Sequence, residues 1–143
     1  MVMKKTFSII VFCLSLFSCT DEPNSKEYKV TVFNNSSETL IIETYKNNVL
    51  LSNSILNTGE KGVNCTYNFE SFIGYQLNTC QIDSIVFKFA GNKGYLSSIN
   101  NPTIYDFPDD NNPFGKSSKF IINNNVYEFT INQEDFINAF DLP

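Results

Sequence analysis

Val63, Cys65, Tyr67 and Phe69 alternate with Asn64, Thr66 and Asn68. A period of two held over these residues describes a strand with one face buried and the other in water. A helix has no use for the pattern, because it would scatter the apolar side chains around its axis. The stretch is therefore committed to a sheet that covers a core on one side, and Cys65 is turned toward that core.

The chain beyond residue 27 follows the same rule in shorter runs. Tyr28, Val30 and Val32 alternate with Lys29, Thr31 and Phe33, and Asn34-Asn35-Ser36-Ser37 turns the chain into residues 39–45, where Leu40 and Ile42 share a face. Lys46-Asn47-Asn48 precedes a run at 49–55, and Ile85, Phe87 and Phe89 share a face within 82–90. Gly91-Asn92-Lys93-Gly94 is a turn signal leading into 95–99. The plainest hairpin joins 119–122 to 126–131 through Asn123-Asn124-Asn125. The finish differs: Asn132 is placed to cap a helix with Glu134 and Asp135 in its first turn and with Phe136 and Phe140 on one face. About seven or eight antiparallel strands with a short C-terminal helix fit an all-β sandwich over residues 28–143. A closed β-barrel is the alternative, which periodicity does not separate. The many aromatic side chains favour two facing sheets around a thick core.

The first residues read as an address. Lys4 and Lys5 supply a positive start, and residues 7–18 form an uncharged, mostly apolar run. That run falls short of the roughly 20 apolar residues needed to cross a bilayer, which makes 1–18 a signal peptide. Leu16-Phe17-Ser18-Cys19 resembles the bacterial lipobox, although Phe17 is larger than the residue common at its position. The resemblance implies cleavage before Cys19, lipidation of its thiol and acylation of the new amino group. One acyl chain holds a protein only marginally, and a second makes the attachment lasting. Residues 19–27 then form the lipidated cysteine and a polar tether. Its acidic start resembles the export signal of Bacteroidota lipoproteins that reach the outer leaflet, which implies an outer-membrane, lipid-anchored chain at the cell surface; a merely solvated linker, with the chain on the periplasmic side, is the alternative.

Cys13 leaves with the signal and Cys19 becomes a thioether, so Cys65 and Cys80 remain as an even pair in an oxidising compartment. A disulfide between them is the expected outcome, with two buried free thiols as the alternative. No C-x-x-C pattern points to zinc or to redox catalysis.

Composition narrows the chemistry. Loss of Lys4 and Lys5 with the signal takes the formal charge from −5 to −7, a field that repels nucleic acid and anionic headgroups. The chain contains neither His nor Arg. It therefore lacks a Ser-His or Cys-His nucleophile pair, an imidazole metal site and a bidentate guanidinium clamp. No Gly-rich phosphate loop or G-x-S-x-G is present. The expectation is a non-enzyme with no cofactor and no metal, with a pair of carboxylates as the one catalytic route left open.

Three features were candidates for sites. Asp106, Asp109, Asp110, Asn111 and Asn112 gather oxygen ligands of the kind Ca²⁺ uses, yet Pro or Phe interrupts every alternate register. With Pro102, Pro108 and Pro113 in the same stretch, residues 100–118 read as a mobile, solvated loop. Tyr75, Tyr95 and Tyr105 could stack on sugars or dock a partner, though core positions are the plainer reading. Asp83-Ser84-Ile85 matches a short O-glycosylation acceptor motif of Bacteroidota, but it lies inside an expected strand.

The lipobox, the early strand followed by Asn-Asn-Ser-Ser, the 83–86 strand before Gly-Asn-Lys, and the ending from Tyr127 to Ala139 together resemble small lipoproteins of Bacteroidota. The resemblance is loose and rests mainly on the two ends. It implies an envelope β-sandwich held to the membrane through Cys19, and it implies no activity and no functional residues. Two roles follow: a structural or interaction module without chemistry, or a surface module that binds glycan, peptide or an envelope protein. An exposed row of aromatics beside a concave surface would favour the second.

Overall fold

The structure, a computed structural model, describes residues 25–75 and 77–143. The expected signal peptide 1–18, the lipidated Cys19 and the tether as far as Asn24 lie outside the described residues. Strand β1 (Lys26–Asn35) begins within the last residues assigned to the tether. Then come β2 (Leu40–Lys46), β3 (Val49–Leu56), β4 (Lys61–Phe69), a single helical turn α1 (Leu77–Cys80), β5 (Ser84–Lys88), β6 (Lys93–Ser98), β7 (Phe120–Asn123), β8 (Val126–Asn132), the short helix α2 (Gln133–Ile137) and β9 (Phe140–Asp141).

The strands form two sheets, ordered β4-β1-β8-β7 and β3-β2-β5-β6-β9. The fold is a β-sandwich, and no closed barrel is formed. One expectation needs correction: β1 and β8 run parallel, with Val30 opposite Tyr127 and Val32 opposite Phe129. A parallel pair needs a long crossover, and here the connection runs through β2 to β7, taking in strands of both sheets. Local alternation is the same in either orientation, so it carries no sign of this pairing.

The two inner faces meet in one core. Val30, Val32, Phe129 and Ile131 from the first sheet face Leu40, Ile42, Ile85, Phe87 and Tyr95 from the second, all buried. Strand β4 keeps its expected register, with Tyr67 buried and Val63 and Cys65 partly so, but Phe69 at its end is exposed. The Asn-rich turns form as expected. Asn47 and Asn48, like Asn124 and Asn125, take positive φ, the backbone that a two-residue hairpin demands and that Asn tolerates.

Residues 100–118 differ from the loose loop expected of them. Phe107 is buried, stacked on Tyr95 at 4.0 Å between ring centroids and set edge-on to Phe87 and Phe129. Pro113 is fully buried as well. The prolines exclude the segment from a ladder, and Phe107 and Pro113 go to the core instead, while Ile104 stays exposed. Asp106 turns inward, accepting from the Ser97 hydroxyl, from the Phe107 N–H at 2.7 Å and from the Asn112 amide at 2.8 Å. Burial pushes its pKa up despite those hydrogen bonds. Its carboxylate is thus committed to donors of the protein, while the Asp109 side chain lies outside the described part.

At the C-terminus, the Asn132 N–H donates to Asp135 at 2.6 Å, closing the expected N-terminal cap. Helix α2 ends at Ile137, so Phe136 and Phe140 do not share a helical face. Phe140 instead lies in β9 against Gly94 of β6, edge-on to the Tyr95 ring. Asp135 also takes both oxygens to Lys119 Nζ, at 2.7 and 2.6 Å, and that ammonium lies over the rings of Phe107 and Phe129.

Cys65 and Cys80 are joined as a disulfide that closes the loop from β4 to α1, with Cα atoms 5.6 Å apart and a sequence separation of 15. A loop of that length contributes about 3 kcal/mol by restricting the unfolded chain. The double variant Cys65→Ser/Cys80→Ser is expected to lose about that much in urea unfolding. An unchanged midpoint would show that the bond adds nothing.

Candidate functional site

The outer face of the five-stranded sheet carries a cleft. The register sets its floor. Tyr45 of β2 lies opposite Leu50 of β3 and Ser84 of β5, and Ser84 lies opposite Ser98 of β6. One step along, Val86 lies opposite Leu96. Because side chains alternate across a strand, all of these project away from the core. Residues around Asn48 raise one wall, and Asn101 with Thr103 raises the other. The cavity measures about 360 Å³ and is lined by Tyr45, Asn48, Ser84, Val86, Leu96, Ser98, Asn101 and Thr103. No side chain in that set is charged. A second hollow of about 160 Å³ shares Asn48, Ser84, Ser98 and Asn101 with it and adds Asn47, Asn100 and Asp83.

Hydrogen bonds hold both walls in place. The Asn47 N–H donates to Asp83 Oδ2 at 2.5 Å, the Asp83 N–H donates to the Tyr45 carbonyl, and the Ile99 N–H donates to the Asp83 carbonyl. Asp83, itself buried, thereby ties the β2–β3 turn to the segment that follows β6. On the far wall the Thr103 hydroxyl donates to the Leu96 carbonyl, and the Leu96 N–H donates to the Tyr105 carbonyl. The Asn101 N–H reaches the Ser98 hydroxyl at 3.2 Å.

The Tyr45 ring is held from its outer end. Its hydroxyl donates to Glu43 at 2.7 Å, and the same carboxylate oxygen takes Lys88 Nζ at 2.8 Å. The Lys88 hydrogen bond, then the one from Tyr45, lowers the Glu43 pKa, and the carboxylate in turn raises that of Tyr45. Both groups keep their neutral-pH charge states, and the ring stays where the sheet puts it.

The tyrosines singled out from the sequence lie elsewhere. Tyr75 and Tyr95 are buried in the core, Tyr75 donating to the Val63 carbonyl at 2.6 Å and Tyr95 to the Asp135 carbonyl at 2.8 Å. Burial raises the Tyr75 pKa well above its usual value and, with Asp135 and Glu134 nearby, pushes Tyr95 up to about 12. Tyr105 is half-buried, edge-on to Phe140. An exposed row of aromatics is therefore not formed by these three, and the cleft has one aromatic, Tyr45, which sequence reasoning missed. The available signal was its place just before the Asn47-Asn48 turn on the polar phase of β2.

Ser84 of the acceptor motif sits in β5, donating to Asp83 Oδ1 at 3.0 Å and lying 3.2 Å from the Ser98 hydroxyl. Its oxygen belongs to the cleft's polar floor. The Asp-rich segment supplies no metal cluster: among the described residues no group of three or more acidic or cysteine side chains converges. A further hollow of about 500 Å³ lies between Lys26, Glu27 and Lys29 of β1 and the β7–β8 turn, where the chain enters the domain. No described helix is long and apolar enough to cross a membrane. Comparison with known protein families, with curated proteins and with solved structures found no match to this chain.

Proposed function

We propose that this chain is a lipid-anchored module of the cell envelope that performs no chemistry and binds an envelope component in the Tyr45 cleft. The observation that carries the binding role is an uncharged cleft whose two walls are tied down by hydrogen bonds. Asp83 braces one wall by two backbone hydrogen bonds, and Thr103 and Tyr105 brace the other. Groups fixed before a ligand arrives lose little freedom on binding, which is how a modest surface reaches useful affinity. The non-catalytic side of the proposal rests on the groups present: Asp83 is the one carboxylate on the described lining, and it has no second beside it with which to divide acid and base roles.

The anchoring side rests on residues 1–19 and has its own test. Wild-type chain is expected to take up labelled fatty acid and to fractionate with membranes. Cys19→Ala is expected to take up none and to accumulate as precursor or as released protein. Unchanged fractionation at the same mature mass would refute the anchor. For the binding role, purified chain titrated with envelope polysaccharides and peptides is expected to show saturable binding that Tyr45→Ala weakens. Turnover of any of these that disappears on changing a single Asp or Glu would overturn the non-catalytic assignment.

A further inference from the structure

We infer that the occupant of the cleft is an uncharged saccharide, seated with a ring face against Tyr45 and its hydroxyls between Asp83 and the Asn101 rim. This rests on the cleft being the binding site and adds the chemical class of what it holds. The first observation is the charge of the lining. The chain carries 15 acidic residues and 10 basic ones, yet the larger cavity has no charged side chain. A phosphate, sulfate or uronate would find no cation there, and Asp83 in the adjoining hollow would repel it. A cationic ligand would find one carboxylate, already shared between the Asn47 N–H and the Ser84 hydroxyl.

The second observation is what the neutral groups offer. The side-chain amides of Asn48 and Asn101 can each donate and accept, which matches a hydroxyl, itself a donor and acceptor. Buried hydroxyl groups on a ligand need such partners, and a site built with them rejects analogues that lack them. Tyr45, Val86 and Leu96 supply an apolar surface for the C–H face of a sugar ring, and the bond from the Tyr45 hydroxyl to Glu43 fixes the aromatic ring's attitude. A volume of about 360 Å³ falls in the range of small-ligand sites and suits a short segment of a glycan.

The third observation weighs against a peptide. One common mode of peptide recognition adds a strand to an exposed sheet edge through main-chain hydrogen bonds. The cleft lies over β2 and β5, which are paired on both sides, and over β6, which β9 covers only at Lys93 and Gly94 but whose Leu96 N–H and carbonyl are taken by Tyr105 and Thr103. Little unpaired backbone faces the ligand, so recognition falls to side chains, the mode that suits a polyol better than a chain of amides.

The test is calorimetric titration of the purified full-length chain with neutral oligosaccharides from glucan, mannan, galactan and xylan, with oligogalacturonate as the acidic counterpart and with a mixed peptide library. At least one neutral sugar is expected to bind saturably and the oligogalacturonate not at all. Tyr45→Ala and Asn101→Ala are expected to weaken binding at least tenfold. Asn101 is exposed, so its variant should melt with wild type and keep the test valid if Tyr45→Ala unfolds. Tyr45-sensitive binding of peptides or of oligogalacturonate in place of neutral sugars would overturn the saccharide assignment and leave the cleft as the site. Binding of neutral sugars unaffected by both substitutions would move the site elsewhere and overturn the inference. Absence of all binding would remove both the inference and the binding role.

Discussion

Asn34→Asp is expected to lower the stability of the fold by about 4 kcal/mol at neutral pH, the scale of an uncompensated buried charge. Asn34 is fully buried between β1 and the turn that follows it. Its amide nitrogen donates to the Glu38 carbonyl at 2.8 Å and to the Leu56 carbonyl at 2.9 Å. Its oxygen accepts from the Ser36 N–H at 3.1 Å and from the Ser36 hydroxyl at 2.7 Å. Two donors and two acceptor positions are thus all in use, so the side chain has no spare capacity. A carboxylate of the same shape keeps the Ser36 contacts but sets a charged oxygen against two carbonyl oxygens. The pH dependence follows in sign. Ionisation is disfavoured in the folded state, so the new carboxyl's folded pKa is raised above its unfolded value of about 3.9. The folded state then holds the proton more tightly, and the penalty, full at pH 7, shrinks as pH falls through the raised pKa. Urea unfolding of wild type and variant at matched pH 7 and pH 4.5 measures this. Equal stability at pH 7 would refute the network.

Gly94→Ala is the second large effect, expected at about 3 kcal/mol, the upper part of the range for forcing extra volume into a packed site. A Cβ at Gly94 would meet the Phe87 carbonyl oxygen at 1.9 Å and Leu142 Cδ1 at 3.0 Å. The first neighbour is backbone of the adjoining strand, so no rotamer change relieves it, and β5 and β6 would have to separate. Gly59→Ala provides the comparison. Gly59 has φ +83° but nothing within 4 Å of its would-be Cβ, so only the conformational term of roughly 1–2 kcal/mol applies. Thermal melts should rank Gly94→Ala well below Gly59→Ala. The reverse order would mean that the strands part more easily than their packing indicates.

How much of this was legible from the sequence depended on how far apart the interacting residues lie. Alternation placed Val30, Val32, Ile42, Ile85 and Phe87 on the core side, and all are buried there. Turn chemistry located the hairpin ends, because Asn accepts the left-handed backbone without needing a distant partner. Parallel pairing of β1 with β8 left no local trace, since it joins strands from opposite ends of the chain. Phe107 was hidden for a related reason: it has no periodic neighbours, and only the arrival of Tyr95, Phe87 and Phe129 makes it a core residue. Polar residues on strand exteriors carry no mark of concavity. Tyr45, Ser84 and Ser98 become one surface through cross-strand register, while Asn101 joins them through the path of a loop. The apolar residues of β3, Val49, Leu50, Leu51 and Ile55, lie exposed at a sheet edge, a placement that composition alone does not mark.

The central position of β1 bears on how the domain would carry load. For a chain held at its N-terminus, any pull from the membrane enters at Lys26 and runs lengthwise along this strand. Because β4 flanks it on one side and β8 on the other, both ladders are strained in shear, and their hydrogen bonds must fail together. An edge strand drawn from its end would peel, one bond at a time, at far lower force. The parallel pairing that no local pattern foretells thus sets how firmly the fold grips β1 against a pull from its N-terminal end.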